Sequence, residues 1–362
     1  MTCTTRVAKW DNLKLLLIFL VVVGHLCYYY TAGSRTMQEL FVFIYTFHMP
    51  LFILVFGLFA KKACAGPRFP GAKVFSYLIL ALACEVVVQL VDYLCWGTLN
   101  FTILNQDALS WFLVACAAYI AITWLLRSVR FRYLFLFALV LGIFVGYDQQ
   151  VGDTLALSRI IVYYPFFLVG FRLDPKRLDQ ATSKTWVRLV ALAVVLAYAA
   201  VCFLNVGDVT SLRLLFTGHN PFALTPGYGA PQRVLCYTLS FLMCAAVVCL
   251  TPSRSLGVLT RAGSRTLSIY ILHVPVVTVL TWLGVNSWLT TTFGSVVGIA
   301  LWLSLAVPIV AFLALPPFER FFRMLANCAK PKLVEAAAPT AMGKFLQQAG
   351  GGSVPMSKKE DQ

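Results

Sequence analysis

Six ionisable side chains fall inside or at the edges of long apolar runs: Lys14, His25, His48, Glu85, Arg159 and His273. An ionisable group at membrane depth is costly, which makes each a functional candidate. A hydrogen-bonded packing residue is the alternative for any one histidine taken alone. Lys14 and His25 are 11 residues apart. On an α-helix that is three turns plus roughly 20°, so both project from one face, about 16 Å apart along the axis. A cation near one end and an imidazole deep on the same stripe would suit a long anionic ligand threaded into a membrane. A neutral imidazole there can take a proton from a hydroxyl nucleophile. No GxSxG, HExxH, P-loop or Rossmann pattern accompanies these residues, nor any Ser-centred nucleophile motif. Direct transfer assisted by His is therefore favoured over a covalent enzyme intermediate.

Depth can be counted from the ends of the apolar runs at about 1.5 Å per residue. His25 and Glu85 then lie about 18 Å in, level with each other, and His273 about 10 Å in. His48 falls near the middle of its run, and Arg159 near the far end of another. Glu85, Gln89 and Asp92 share one helical face. That face reads either as the lining of a wet cavity, with Glu85 orienting an imidazole, or as helix–helix hydrogen bonding plus a surface carboxylate. Trp111 opens its run as an interfacial aromatic or as a platform for a sugar ring. Pro50 and Pro165 free carbonyls within apolar runs, which is tolerated where they face protein or a cavity.

The elements that must position these groups are transmembrane helices. The 362 residues are 60% hydrophobic and only 12% charged, with mean hydropathy +0.82; a soluble chain carries about a quarter charged residues. The expected fold is all-α and polytopic, with ten spans at 13–30, 38–60, 73–96, 108–126, 132–147, 155–172, 186–205, 232–250, 266–285 and 293–318. Of 29 Lys and Arg, 25 fall in the N-terminal segment, in 61–73, 127–132, 172–188 and 254–265, and after 318. This alternation places both termini in the cytoplasm. It also accounts for the net charge of +15 without nucleic acid as a partner. The first run, with Arg6 and Lys9 before it, superficially resembles a signal peptide, but Asp11, Asn12, Lys14 and His25 mark a retained helix.

Residues 1–327 form the expected membrane domain. From 328 the composition turns to Ala, Gly, Pro, Gln and Lys, as in a disordered cytoplasmic tail. Among the external stretches, 206–231 is the one large enough for a lid or acceptor surface. The GxxxG patterns at Gly142–Gly146 and Gly294–Gly298 mark close helix packing. Most of the eleven Cys lie in apolar runs and read as packing residues, with no CxxC or metal-like spacing, so no metal is expected.

Five elements in order resemble the bacterial membrane-bound acyltransferase-3 family, nearest its fucose 4-O-acetylase-like branch. They are Trp10-Asp11-Asn12-Leu13-Lys14 … Gly24-His25; Phe47-His48-Met49-Pro50-Leu51-Phe52 … Gly57; Ser110-Trp111-Phe112-Leu113; Arg159 … Tyr164-Pro165-Phe166-Phe167-Leu168-Val169-Gly170; and Ser268-Ile269-Tyr270-Ile271-Leu272-His273. The resemblance covers about 10 to 318. It implies transfer of an acyl group, acetyl by default, from cytoplasmic acyl-CoA to a carbohydrate hydroxyl at or beyond the bilayer. Lys14, Lys61, Lys62 and Arg68 would then meet the phosphates of acetyl-CoA, and His25 would be the general base. His48 would hold the thioester carbonyl or position the donor, and Glu85 would fix the imidazole. Arg159, Trp111 and His273 would contact the acceptor, or Arg159 the developing oxyanion. The chain departs from the family where an R-x-x-R motif usually follows the second span and where a Ser-Gly pair reads Phe56-Gly57. The rival expectation is a transporter or flippase using the same groups as a proton relay, which has no need of the Lys14/His25 pairing. A scaffold subunit of an export complex would need no intramembrane His.

Overall fold

The computed structural model describes residues 8–99, 109–152, 155–224 and 227–328, all helix, turn and loop. The tail expected from 328 thus lies outside the described residues beyond Cys328, as does residue 108 at the start of the fourth expected span. The chain runs through α1 (Ala8–Tyr28), α2 (Arg35–Tyr45), α3 (His48–Cys64), α4 (Gly71–Trp96), α5 (Trp111–Leu125), α6 (Phe131–Phe144), α7 (Leu157–Arg172) and α8 (Pro175–Ala181). It continues through α9 (Thr185–Phe203), α10 (Arg213–Phe216), α11 (Ala230–Leu250), α12 (Val258–Gly263), α13 (Thr266–Trp282), α14 (Val285–Ser304), α15 (Ala306–Leu313) and α16 (Pro316–Cys328). Six helices or helix pairs are long and apolar enough to cross a membrane: α1, α2–α3, α4, α9, α11 and α14–α15. Shorter apolar helices cover 111–125, 131–147 and 266–282. The protein is polytopic.

Two expected spans are interrupted. The run 38–60 breaks between α2 and α3, and Pro50 accounts for the position. It has no N–H for the Thr46 carbonyl four residues back, and its ring crowds that oxygen. Phe47 accordingly leaves helical geometry (φ −132°, ψ −23°), and the Thr46 hydroxyl donates to the Val42 carbonyl at 2.7 Å. The run 293–318 is divided as well. Gly294 takes a left-handed φ of +79° inside α14, and Pro316 opens α16.

Of the long apolar helices, those carrying Lys14, His25 and His48 are the most buried. In α2–α3 72% of the apolar window is buried and in α1 67%, against 17% in α9, whose leucines face outward. α3 and α7 approach most closely at two glycines. A Cβ on Gly57 would strike the Phe167 carbonyl oxygen, and one on Gly170 the Leu54 carbonyl oxygen. This close approach fixes Arg159 on α7 relative to His48 on α3.

Hydrogen bonds gather the described parts of the six basic stretches at one end. Lys9, fully buried, donates to the Thr182 hydroxyl and pairs with Asp179 at 3.5 Å; Ser253 donates to Asp179 at 2.5 Å. Asn12 donates to the carbonyls of Pro252 and Arg254, both at 2.9 Å, and accepts from Thr260 at 2.6 Å. Lys61 donates to the Leu173 carbonyl at 2.5 Å, Trp124 to that of Gly66 at 3.2 Å, and Arg323 to that of Ser264 at 3.1 Å. Arg127 stacks on Trp124 with its guanidinium carbon 3.9 Å from the ring centre. The opposite end is tied by Ser158 to Gly218 at 2.9 Å, Tyr30 to Asn286 at 3.3 Å, and the Ala230 amide to the Tyr147 hydroxyl at 3.2 Å.

Candidate active site

α1 carries Lys14, Val21 and His25 along one stripe. Lys14 pairs with Asp11 at 2.8 Å, one turn earlier, and stays partly open. His25 makes no hydrogen bond among the described residues and is half-buried. Gly24, beside it, leaves room for the Tyr45 ring: a Cβ there would lie 3.1 Å from Tyr45 Cε2.

The other two histidines share a local device, His-x-Pro. In His48-Met49-Pro50 and His273-Val274-Pro275 the proline loosens the helical ladder around the preceding turn. The imidazole Nδ1 then bonds a carbonyl four residues back. For His48 this is Ile44 at 2.9 Å. For His273 it is Ile269 at 3.0 Å, joined by Tyr270 at 2.9 Å. A carbonyl only accepts, so Nδ1 carries the proton in both rings and Nε2 presents a lone pair. His48 meets Tyr45 edge to face at 4.6 Å between centroids, and His273 meets His25 in the same way at 4.9 Å.

An apolar cavity of about 240 Å³ leads toward these groups from the Lys14 end. Its wall includes Lys14 and Val21 of α1, Met49 and Phe52 of α3, Phe112 of α5 and Tyr270 of α13. The inner wall stops one residue to one turn short of every intramembrane histidine. Val21 is four residues before His25, Met49 adjoins His48, and Tyr270 is three residues before His273.

Beyond the histidines, toward the opposite end, Trp111 stacks on Tyr163 at 5.7 Å and lies under the Arg159 guanidinium at 5.1 Å. Arg159 Nη2 donates to Nδ1 of His219, 3.0 Å away in the loop after α10. That loop is held by Tyr163 donating to the Phe216 carbonyl at 2.7 Å and by buried Arg233 donating to that of Leu215 at 2.6 Å.

A family profile described as an acyltransferase domain, that of the acyltransferase-3 family, matches residues 7–313. The chain belongs to the acyltransferase-3 family. It is an acyltransferase, and with its apolar helices a membrane one. It is also similar to the nodulation protein NolL of Sinorhizobium fredii (strain NBRC 101917 / NGR234), 26% identical over 293 residues that cover 74% of this chain and 77% of that protein. No solved structure matches.

Several expected residues of the acyltransferase sit differently from their sequence-based placement. His273 is not below His25 but in contact with it; counting from the ends of apolar runs ignores helix tilt and the offset between those ends. Glu85 does not orient an imidazole among the described residues. Its oxygens accept from Gln89 at 3.2 Å and from Ser110, which leads α5, at 3.0 Å. Of its two readings, helix–helix bonding describes these contacts. Lys61 caps the carbonyl end of α7, while Lys62 is exposed in the last turn of α3 and Arg68 on the loop after it, and none of the three lines the cavity.

Two residues of the site escaped the sequence reading. Tyr45 is three residues before His48, a spacing that one helical turn would have brought together. His219 carried no signal beyond being a histidine in the long 206–231 stretch.

Proposed function

We propose that this protein moves an acyl group, acetyl by default, from acyl-CoA held at the Lys14 end to a carbohydrate hydroxyl arriving from the opposite end, with His25 as general base. The observation that carries the reading is the apolar cavity running from Lys14 to within one turn of His25, His48 and His273. At about 240 Å³ it is smaller than the roughly 300–1,000 Å³ of a typical ligand pocket. It accommodates the narrow acyl-pantetheine arm and leaves the nucleotide and phosphates outside, beside Lys14. The gathering of the basic stretches at that end supports a cytoplasmic donor side in a bacterial plasma membrane, with both termini cytoplasmic. Lys62 and Arg68, exposed nearby, serve as further phosphate contacts, and Lys61 holds the end of α7.

In this mechanism the acceptor hydroxyl approaches past Trp111 and Arg159. Its oxygen attacks the thioester carbonyl carbon while His25 removes its proton. The C–S bond breaks, and the same proton returns to the sulfur as the free thiol leaves. His48 Nε2, presenting a lone pair, orients a hydroxyl or amide N–H of the incoming molecules. Arg159 faces the developing negative charge.

The test uses purified protein and acetyl-CoA. His25→Ala should keep acetyl-CoA binding and lose transfer by about a hundredfold or more, the usual effect of removing a general base. Lys14→Ala should weaken acetyl-CoA binding and make what remains more sensitive to salt. A folded His25→Ala protein with normal transfer overturns the base assignment, and a folded Lys14→Ala protein with normal affinity moves the donor elsewhere.

A further inference from the structure

Building on that reading, we infer that His273 acts through His25, its Nε2 accepting the N–H that neutral His25 carries and holding it more strongly once the other ring nitrogen has taken the acceptor's proton. His273 is fully buried. Its Nδ1 proton is committed to the carbonyls of Ile269 and Tyr270. Its Nε2 is therefore a lone-pair acceptor, and it has no partner. Buried polar atoms of native proteins are nearly always paired, so a buried orphan acceptor needs an explanation.

The ring neighbours narrow the choice of partner. His273 meets the rings of His25, at 4.9 Å and 65°, and of Tyr270, at 6.2 Å. The Tyr270 hydroxyl is engaged with the Leu109 carbonyl. The other polar groups of the site are held too: His48 by Ile44, Arg159 by His219, and Glu85 by Gln89 and Ser110. The Tyr45 hydroxyl is likewise without a hydrogen bond among the described residues, but its ring meets Phe41 and His48 rather than His273; of the two rings against His273, that of His25 is the one left to pair. Neutral His25 has one N–H, and it needs its lone pair to take the hydroxyl proton. After that transfer it carries two N–H groups. One faces the departing sulfur and returns the proton there; the other, held from the start, needs an acceptor. The edge-to-face contact leaves a modest ring rotation to bring that N–H onto His273 Nε2. The role is the one a buried carboxylate plays in many His-based sites, filled here by a neutral imidazole whose tautomer the backbone fixes. His273 is thus a positioning residue rather than a group that touches substrate.

The experiment uses inverted membrane vesicles of the native host lacking the chromosomal gene and expressing full-length variants. Radiolabelled acetyl-CoA is the probe, and label incorporated into endogenous carbohydrate is the readout. Folding is checked by size-exclusion profile and thermal midpoint of the solubilised proteins. His273→Phe keeps the ring and removes both nitrogens. It should lower kcat by about tenfold to a hundredfold, less than loss of the base itself, with KM for acetyl-CoA changed by less than about twofold. His273→Gln places an amide oxygen where Nε2 stood and should recover most of that loss. Wild-type kcat in His273→Phe overturns the inference, and so do equally slow Phe and Gln variants that are both folded. His25→Ala run alongside separates the two levels: if it retains transfer, the general-base reading itself falls; if it is inactive while His273→Phe is fully active, only the role of His273 falls.

Discussion

Nη2 of Arg159 and Nδ1 of His219 lie 3.0 Å apart, and their bond joins a helix inside the bundle to the loop across its end. The guanidinium can only donate, so His219 accepts at Nδ1. The bond holds Arg159 over Trp111, on the proposed acceptor path. A hydrogen bond to a charged group is worth about 1.5–3 kcal/mol, of which about 1.4 kcal/mol equals a factor of ten. His219→Ala should therefore raise KM for the acceptor by about tenfold and leave KM for acetyl-CoA unchanged. Steady-state kinetics with each substrate varied in turn decides it. A change confined to acetyl-CoA would put the loop on the donor side.

The clustering of the basic stretches makes sidedness testable at two exposed positions. Asp208→Cys, in the loop after α9, should react with a membrane-impermeant maleimide in intact cells. Arg177→Cys, in α8, should react only after permeabilisation. Reaction of both from the same side would break the alternation of loops and with it the proposed orientation.

Stability should hinge on the contact between α3 and α7. A Cβ on Gly170 lands on the Leu54 carbonyl oxygen, and backbone has little room to yield. Overpacking of this kind costs about 1–3 kcal/mol, so Gly170→Ala should lower the thermal midpoint of the solubilised protein. Gly66→Ala is the matched control, since a Cβ there meets nothing within 4 Å. Equal midpoints for the two variants would show that the helices can part without penalty.

The break before α3 gives a fourth prediction. Pro50→Ala restores an N–H that can reach the Thr46 carbonyl, so the chain from Arg35 to Cys64 can straighten into one helix. His48 would then turn with the straightened helix and leave its place against Tyr45. Expression should hold or improve, as removal of a helix-interior proline favours helix. Acyl transfer should fall by about tenfold or more, on the scale of a displaced catalytic contact. Retained transfer would mean that the break does not set the position of His48.

Much of the architecture was legible because apolar length and cation placement are one-dimensional signals. Eight of the ten expected runs are each filled mainly by one helix among the described residues, while 38–60 and 293–318 are broken by Pro50 and at Gly294 and Pro316; the basic stretches, as far as they are described, meet at one end. The pairing of Lys14 with His25 was legible for the same reason, since both lie on one helix and α-helical spacing alone sets their relation. Contacts between helices were not. His273 and His25 are 248 positions apart in the chain, and their meeting depends on tilt and offset that no single run records. Glu85 was assigned to an imidazole by depth, yet two nearer partners, Gln89 on its own helix and Ser110 at the head of the next, take its oxygens. The two His-x-Pro triplets were on the page as a repeated spelling; their shared hydrogen bond needed the backbone geometry to become visible.

The ties made by the start of α1 set an order on how the protein is built. Lys9 finds its partners 170 and 173 positions later, at Asp179 and Thr182, and Asn12 finds its own between 240 and 248 positions later. When α1 leaves the ribosome, none of these groups exists. Until α8 and then the turn before α12 are synthesised, that end of the helix must remain in water or be sheltered by the insertion machinery. A fragment ending after α7 would strand the Lys9 ammonium with nothing to receive it. α1 is therefore seated only after segments made 170 to 248 residues later have joined it, and the stripe bearing Lys14 and His25 takes its final place no earlier than that.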